Sequence, residues 1–192
     1  MNRRTQSILC RISFSLAALW VGSANSSASI VITANWTSEA NDLYTVSNTD
    51  LLQTQLASIS SDITPGFFAA NDPRLLVDGR FGGGIDGGAS VAPQAGRSVT
   101  FHLDLSVNTT GYTINSLASY AGWDSGRDGQ EYTVSFSTAS SPSTFIKLVD
   151  VPKFDASSTA GVYSTRIILT DTTGVLIENA AAIRYTFTQF EN

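Results

Sequence analysis

Cysteine and histidine occur once each in 192 residues, and this scarcity limits the chemistry on offer. Cys10 lies in the first ten residues, inside a segment that reads as an export leader. The chain after it therefore folds without a disulfide, which fits a bacterial exported protein better than a small disulfide-stapled one. Charge is also scarce: 14% of residues are Asp, Glu, Lys or Arg, against about 25% in an ordinary globular protein. What charge there is leans acidic, and basic clusters are missing. A nucleic-acid partner, whose phosphates call for Lys and Arg, is excluded on that ground, as is an anionic membrane surface. The sequence shows no long amphipathic helix and no internal repeat.

What is present begins with the leader. "MNRR" is a basic start, "ILCRISFSLAALWVG" is apolar but broken by Arg11, and "SANSSAS" offers small residues for cleavage after Ala24 or Ala28. Residues 1–28 are thus expected to be a signal peptide, and 29–192 a single domain secreted or displayed at the cell surface. The apolar run is too short to favour an uncleaved membrane anchor. Removing the leader takes away Arg3, Arg4 and Arg11 and leaves eight basic against sixteen acidic residues, a net charge of −8. About 165 residues suffice for one core burying roughly 70% of the unfolded chain's surface.

Strand-like runs follow one another: "SIVITANW" (29–36), "RSVTFHLDL" (97–105), "GYTINSLASYA" (111–121), "EYTVSFST" (131–138), "TFIKLVDV" (144–151), "YSTRIILTD" (163–171) and "AAIRYTFTQF" (181–190). They alternate, or are rich in β-branched and aromatic residues. In 131–138, Tyr132, Val134 and Phe136 share one face and Thr133, Ser135 and Ser137 the other, as in a strand with one buried and one wet side. Turn chemistry separates the runs at "NTTG", "SSPS" (140–143), "DASSTAG" (155–161) and "DTTG" (171–174). "SNTDLLQTQLASISS" (47–61) reads either as a short helix capped by Asn48 or Thr49 or as a strand. Residues 62–96 are Gly-rich and mostly loop. The expectation is an all-β sandwich or barrel.

Several stretches in order carry a resemblance: "LLVDGRFGGG", "SVTFHLDLS", "INSLASYAGWDSGRDGQEYTVSFST", "STRIILTD" and "AAIRYTFTQF". Over residues 64–190 the chain resembles galactose-binding-like domains, the discoidin or coagulation-factor C-type jelly rolls, in the form found in exported planctomycete-type bacterial proteins. The resemblance lies in the order of the motifs. It implies a jelly-roll β-sandwich and a binding module whose partner is a carbohydrate or a cell-surface protein. It also implies a structural Ca²⁺ at Asp78, in a Gly turn that exposes carbonyls, with Asp86 adding a carboxylate. Such domains continue into a Gly-rich turn and a last strand bearing a Glu, whereas this chain stops at Asn192. A shortened version with an exposed sheet edge is therefore expected.

The loop within "SYAGWDSGRDGQEYTV" has two readings. Arg127 between Asp124 and Asp128 can order the turn by charge-assisted hydrogen bonds, with Trp123 closing the core. Alternatively Trp123 stacks on a sugar while Asp124, Arg127 and Asp128 bind its hydroxyls. An EF-hand is excluded, because Gly126 and Ser135 stand where its third and twelfth ligands belong. For catalysis the sequence offers little. His102 shares a strand face with Asp104, no Ser sits in a nucleophile elbow, and unassigned carboxylates are the only other candidates. The expected function is a non-catalytic carbohydrate-binding module. The alternatives are a surface-assembly protein without a small ligand and, third, a hydrolase.

Overall fold

The computed structural model describes residues 29–37, 44–63, 72–79, 81, 95–124, 128–156 and 162–188, with the side chains of 123, 124 and 162 set aside. Among the described residues nine strands form in chain order: β1 (Ile30–Thr37), β2 (Leu56–Ser61), β3 (Ser98–Leu103), β4 (Tyr112–Ile114), β5 (Ser116–Asp124), β6 (Gln130–Thr138), β7 (Ser141–Phe154), β8 (Val162–Asp171) and β9 (Ile177–Phe187). One sheet runs β1-β8-β5. The other runs β2-β3-β9-β6-β7, with β4 also paired to β9. Every pairing is antiparallel, and the two sheets pack face to face. The chain is an all-β sandwich.

Alternation builds the core. In β8, Thr165, Ile167 and Leu169 are 1% exposed or less, and they meet Val134, Tyr132 and Ile183 of the other sheet. At about 25 cal/mol per Å² of apolar surface removed from water, such side chains supply most of the drive for the sheets to close. β9 is the spine of the larger sheet: β6 flanks one side, β3 and β4 the other. Its Ala180, Ala181 and Ala182 are all buried, and small side chains there let the neighbouring layers pack closely.

Several elements differ in detail from the sequence reading. The run 111–121 is two strands: β4 belongs to the larger sheet and β5 to the smaller, so the chain changes layer at Asn115. Gly111 makes the approach to β4 possible, with φ +85° and space so tight that a Cβ would stand 2.4 Å from the carbonyl oxygen of Asn179. Within 47–61 both readings hold in part. A one-turn helix, α1 (Leu51–Thr54), is capped by Asp50 rather than Asn48 or Thr49, its carboxylate accepting from Gln53 N; β2 follows at once. "SSPS" is not wholly a turn, because β7 starts at Ser141 and Pro142 is tolerated on a strand paired only to β6. Between α1 and β3 a short 3-10 helix, Pro73–Val77, is capped by Asp72.

β9 is paired on both sides, and among the described residues β1, β5, β2 and β7 are the edge strands. The core-face positions of β1 are set by its register with β8: Ile32 faces Leu169, Ala34 faces Ile167 and Trp36 faces Thr165. Although on the core face, Ile32 is 36% and Trp36 53% exposed.

Candidate functional site

The two sheets are joined at one end by a directed chain of hydrogen bonds rather than by apolar packing. Tyr132 OH lies 2.5 Å from Ser119 Oγ, which donates over 2.5 Å to Gln130 Oε1. The single Ser119 hydroxyl hydrogen is thereby used, so Tyr132 is the donor of its pair. Gln130 Nε2 donates to Thr165 Oγ1 at 3.1 Å, and Thr165 Oγ1 donates to the backbone carbonyl of Asp128. Ser119 and Thr165 come from the smaller sheet, Gln130 and Tyr132 from the larger. Burial pushes the Tyr132 hydroxyl up to about 12. Tyr185, edge-on to Tyr132 at 5.2 Å, is also pushed up by burial, with the neighbouring Tyr132 adding to the effect.

This chain of bonds ends at the loop between β5 and β6. Asp128 is fully buried. Its Oδ2 accepts from Ala156 N at 2.7 Å, while Oδ1 has no hydrogen-bond partner among the described residues. Asp128 thus fastens the start of β6 to the end of β7, the role of a brace. Trp123 and Asp124 are the last residues of β5, paired in backbone register with Tyr163 and Val162. The expected pairing of Arg127 with Asp124 and Asp128 lies outside the described residues.

On the same end of the smaller sheet stands an aromatic pair that sequence reasoning passed over. Trp36 of β1 meets Tyr163 of β8 edge-on, with centroids 5.9 Å apart and planes at 70°. Tyr163 in turn is the register partner of Trp123. Trp36 sits in the apolar phase of "SIVITANW", which marks it as core by alternation. Its ring is nonetheless 53% exposed.

No family model, curated protein or solved structure matches the chain. The site is therefore read from its chemistry alone.

Around that end, the outer face of the smaller sheet carries a second aromatic group. Tyr44, Phe81 and Tyr120 stand 5.6 to 6.0 Å apart, and the Arg166 guanidinium lies 4.9 Å from the Tyr44 ring. Phe81 also approaches Gly122, where a Cβ would come within 3.1 Å of its ring. This is a small core of its own, holding the 44–55 and 72–81 segments on β5.

His102 and Asp104 do not pair. His102 Nε2 lies 2.9 Å from Ser60 Oγ, and desolvation, helped by Arg184, holds its pKa below the ordinary imidazole value. Asp104 accepts from Ser106 N and Oγ at 2.9 and 2.6 Å, bonds that keep its carboxyl below the usual range. Asp78 ends the 3-10 helix beside Gly79, whose φ is +74°; Asp86 lies outside the described residues. No group of three or more His, Cys, Asp or Glu side chains gathers among the described residues. Of the two, Asp78 places one carboxylate at a Gly turn, the hard anionic oxygen that Ca²⁺ takes. A groove of about 440 Å³ runs between β2 and the 3-10 helix, lined by Leu56, Ile59, Pro73 and Arg74 among others, far in sequence from the aromatic end.

Proposed function

We propose that the protein is an exported, non-catalytic binding module that takes a carbohydrate at the β5–β6 end of the smaller sheet. The observation that carries this reading is Trp36, a large ring 53% exposed and steadied edge-on by Tyr163. An indole held on a rigid strand offers a flat apolar face at little conformational cost, and the apolar face of a galactose-type ring matches it. The sequence reading adds Trp123 as a second aromatic and Asp124 and Arg127 as planar charged groups for sugar hydroxyls. Asp128 contributes by fixing the loop. The jelly-roll resemblance and the leader support the same reading, as does an acidic surface poor in basic clusters, which suits neutral glycans.

A glycan array probed with the purified protein tests it. Hits should appear and should be lost in Trp36→Ala or Trp123→Ala, with folding preserved. An array without hits, or hits that survive both substitutions, removes the proposal. The structural Ca²⁺ implied at Asp78 is a separate proposal: a chelator lowers the melting temperature if Asp78 holds an ion and leaves it unchanged if Asp78-Gly79 is only a turn. The second reading, a surface-assembly protein without a small ligand, is favoured by the open edge of β1.

A further inference from the structure

We infer that β1 is a self-pairing edge, through which two copies of the chain join their smaller sheets into one continuous six-stranded sheet. The argument starts from a comparison of the four sheet edges. An unpaired edge strand presents a row of free N–H and C=O groups, and proteins that avoid association blunt such edges with charge, proline, bulges or covering segments. β7 carries Pro142, Pro152, Lys147 and Lys153 and slips register against β6 at three points. β2 is six residues long, bulged between Leu56 and Ser58, and flanked by the 3-10 helix. β5 carries Gly122 and Asp124, and the Tyr44 and Phe81 rings pack on its outer face at Tyr120.

β1 has none of these devices. Its sequence, "IVITANWT", holds no charge, proline or glycine. Its register with β8 runs unbroken from Ile30 to Thr37, and among the described residues no strand pairs its other side. Five of its eight residues are β-branched, which suits a pleated partner.

The same strand is complementary to itself. A two-fold axis perpendicular to the sheet pairs residues that lie on the same face. With Ala34 on the axis, Ile32 of each copy stands opposite Trp36 of the other, so the two large exposed core-face side chains of β1, at 36% and 53%, become cross-strand neighbours twice over. On the outer face Val31, 41% exposed, then meets Thr37, and Thr33 meets Asn35. With Thr33 on the axis instead, Ile32 meets only Ala34. The occupant is a second copy because β1, uncharged along its length, is complementary to itself and meets its own copy without local charge repulsion.

The inference does not rest on glycan binding, although both use the Trp36 ring, and it is tested without glycan. Sedimentation equilibrium of the purified protein should show a reversible monomer–dimer equilibrium. Ala34 is exposed, so Ala34→Lys and Ala34→Glu are tolerated by the monomer. Each places like charges face to face on the axis and should weaken the dimer at least about tenfold. An equimolar mixture of the two variants should restore a heterodimer. In the unmodified protein, amide exchange should slow with concentration in residues 30–37 and not in β7. A protein that stays monomeric to about 100 μM, a dimer indifferent to both substitutions, or a mixture that fails to recover association overturns the proposal. If either variant misfolds, the concentration-dependent exchange decides alone.

Discussion

Gln130 of β6 and Thr165 of β8 join the two sheets by a hydrogen bond of 3.1 Å, at a level where both side chains are buried. Removing the hydroxyl leaves two groups stranded, Gln130 Nε2 and the Asp128 carbonyl, and each buried orphan costs about 1–3 kcal/mol. Thr165→Val should therefore lower stability by about 2–4 kcal/mol, a fall in melting temperature of about 5–15 °C for a domain of this size. Thr165→Ser keeps both bonds and should recover most of the loss. A double-mutant cycle with Gln130→Leu, followed by denaturant unfolding, should return a coupling energy of at least about 1 kcal/mol. Additive losses would mean that the bond contributes nothing.

Tyr132 makes stability sensitive to alkali. Its hydroxyl is raised to about 12 in the folded protein, against about 10 when unfolded. Between these values the folded state holds the proton more tightly, so stability is complete below pH 10 and falls as pH rises toward 12. A shift of this size corresponds to about 2–3 kcal/mol once the unfolded tyrosinate is fully formed. Urea midpoints measured from pH 8 to 11.5 should decline above pH 10, and Tyr132→Phe should flatten the decline. Tyr185, shifted in the same direction, keeps part of the slope in that variant.

Gly111 is the tightest backbone position described. At φ +85° a side chain is strained, and a Cβ meets the Asn179 carbonyl oxygen at 2.4 Å and that of Ala180 at 2.9 Å. Neither atom belongs to a flexible side chain that could swing away. Gly111→Ala should thus cost about 2 kcal/mol or more, whereas Gly174→Ala, at φ +90° with open space around it, should cost about 1 kcal/mol. Melting curves of the two variants check the difference.

Strand content and fold class were legible because alternation is a local property: Tyr132, Val134, Ile167 and Leu169 announce their faces within five residues. Which sheet a strand joins is not local, and so 111–121 looks like one strand until Asn115 carries the chain across. The cap of α1 was misplaced by one or two residues because Asn48, Thr49 and Asp50 all have capping side chains, and only geometry selects Asp50. For the site, the β5–β6 loop stood out by composition, yet Asp128 proves to be enclosed between the sheets. Trp36 was hidden by its own good phase. Alternation places a residue on the core face but says nothing about whether another layer lies opposite.

That distinction gives the last prediction. Trp36 and Ile167 both occupy core-face positions of the smaller sheet, but Ile167 is 1% and Trp36 53% exposed. Ile167→Ala opens a cavity in a closed layer and should cost about 2–5 kcal/mol. Trp36→Ala removes an edge-to-face contact with Tyr163 and some surface cover, about 1 kcal/mol. Urea denaturation at concentrations below any dimerisation compares the two directly. A loss for Trp36→Ala as large as that for Ile167→Ala would make the indole a structural residue and withdraw it from ligand binding. A small loss, joined to a loss of glycan hits, would assign the ring to recognition, because a side chain that folding scarcely needs is then required by the ligand.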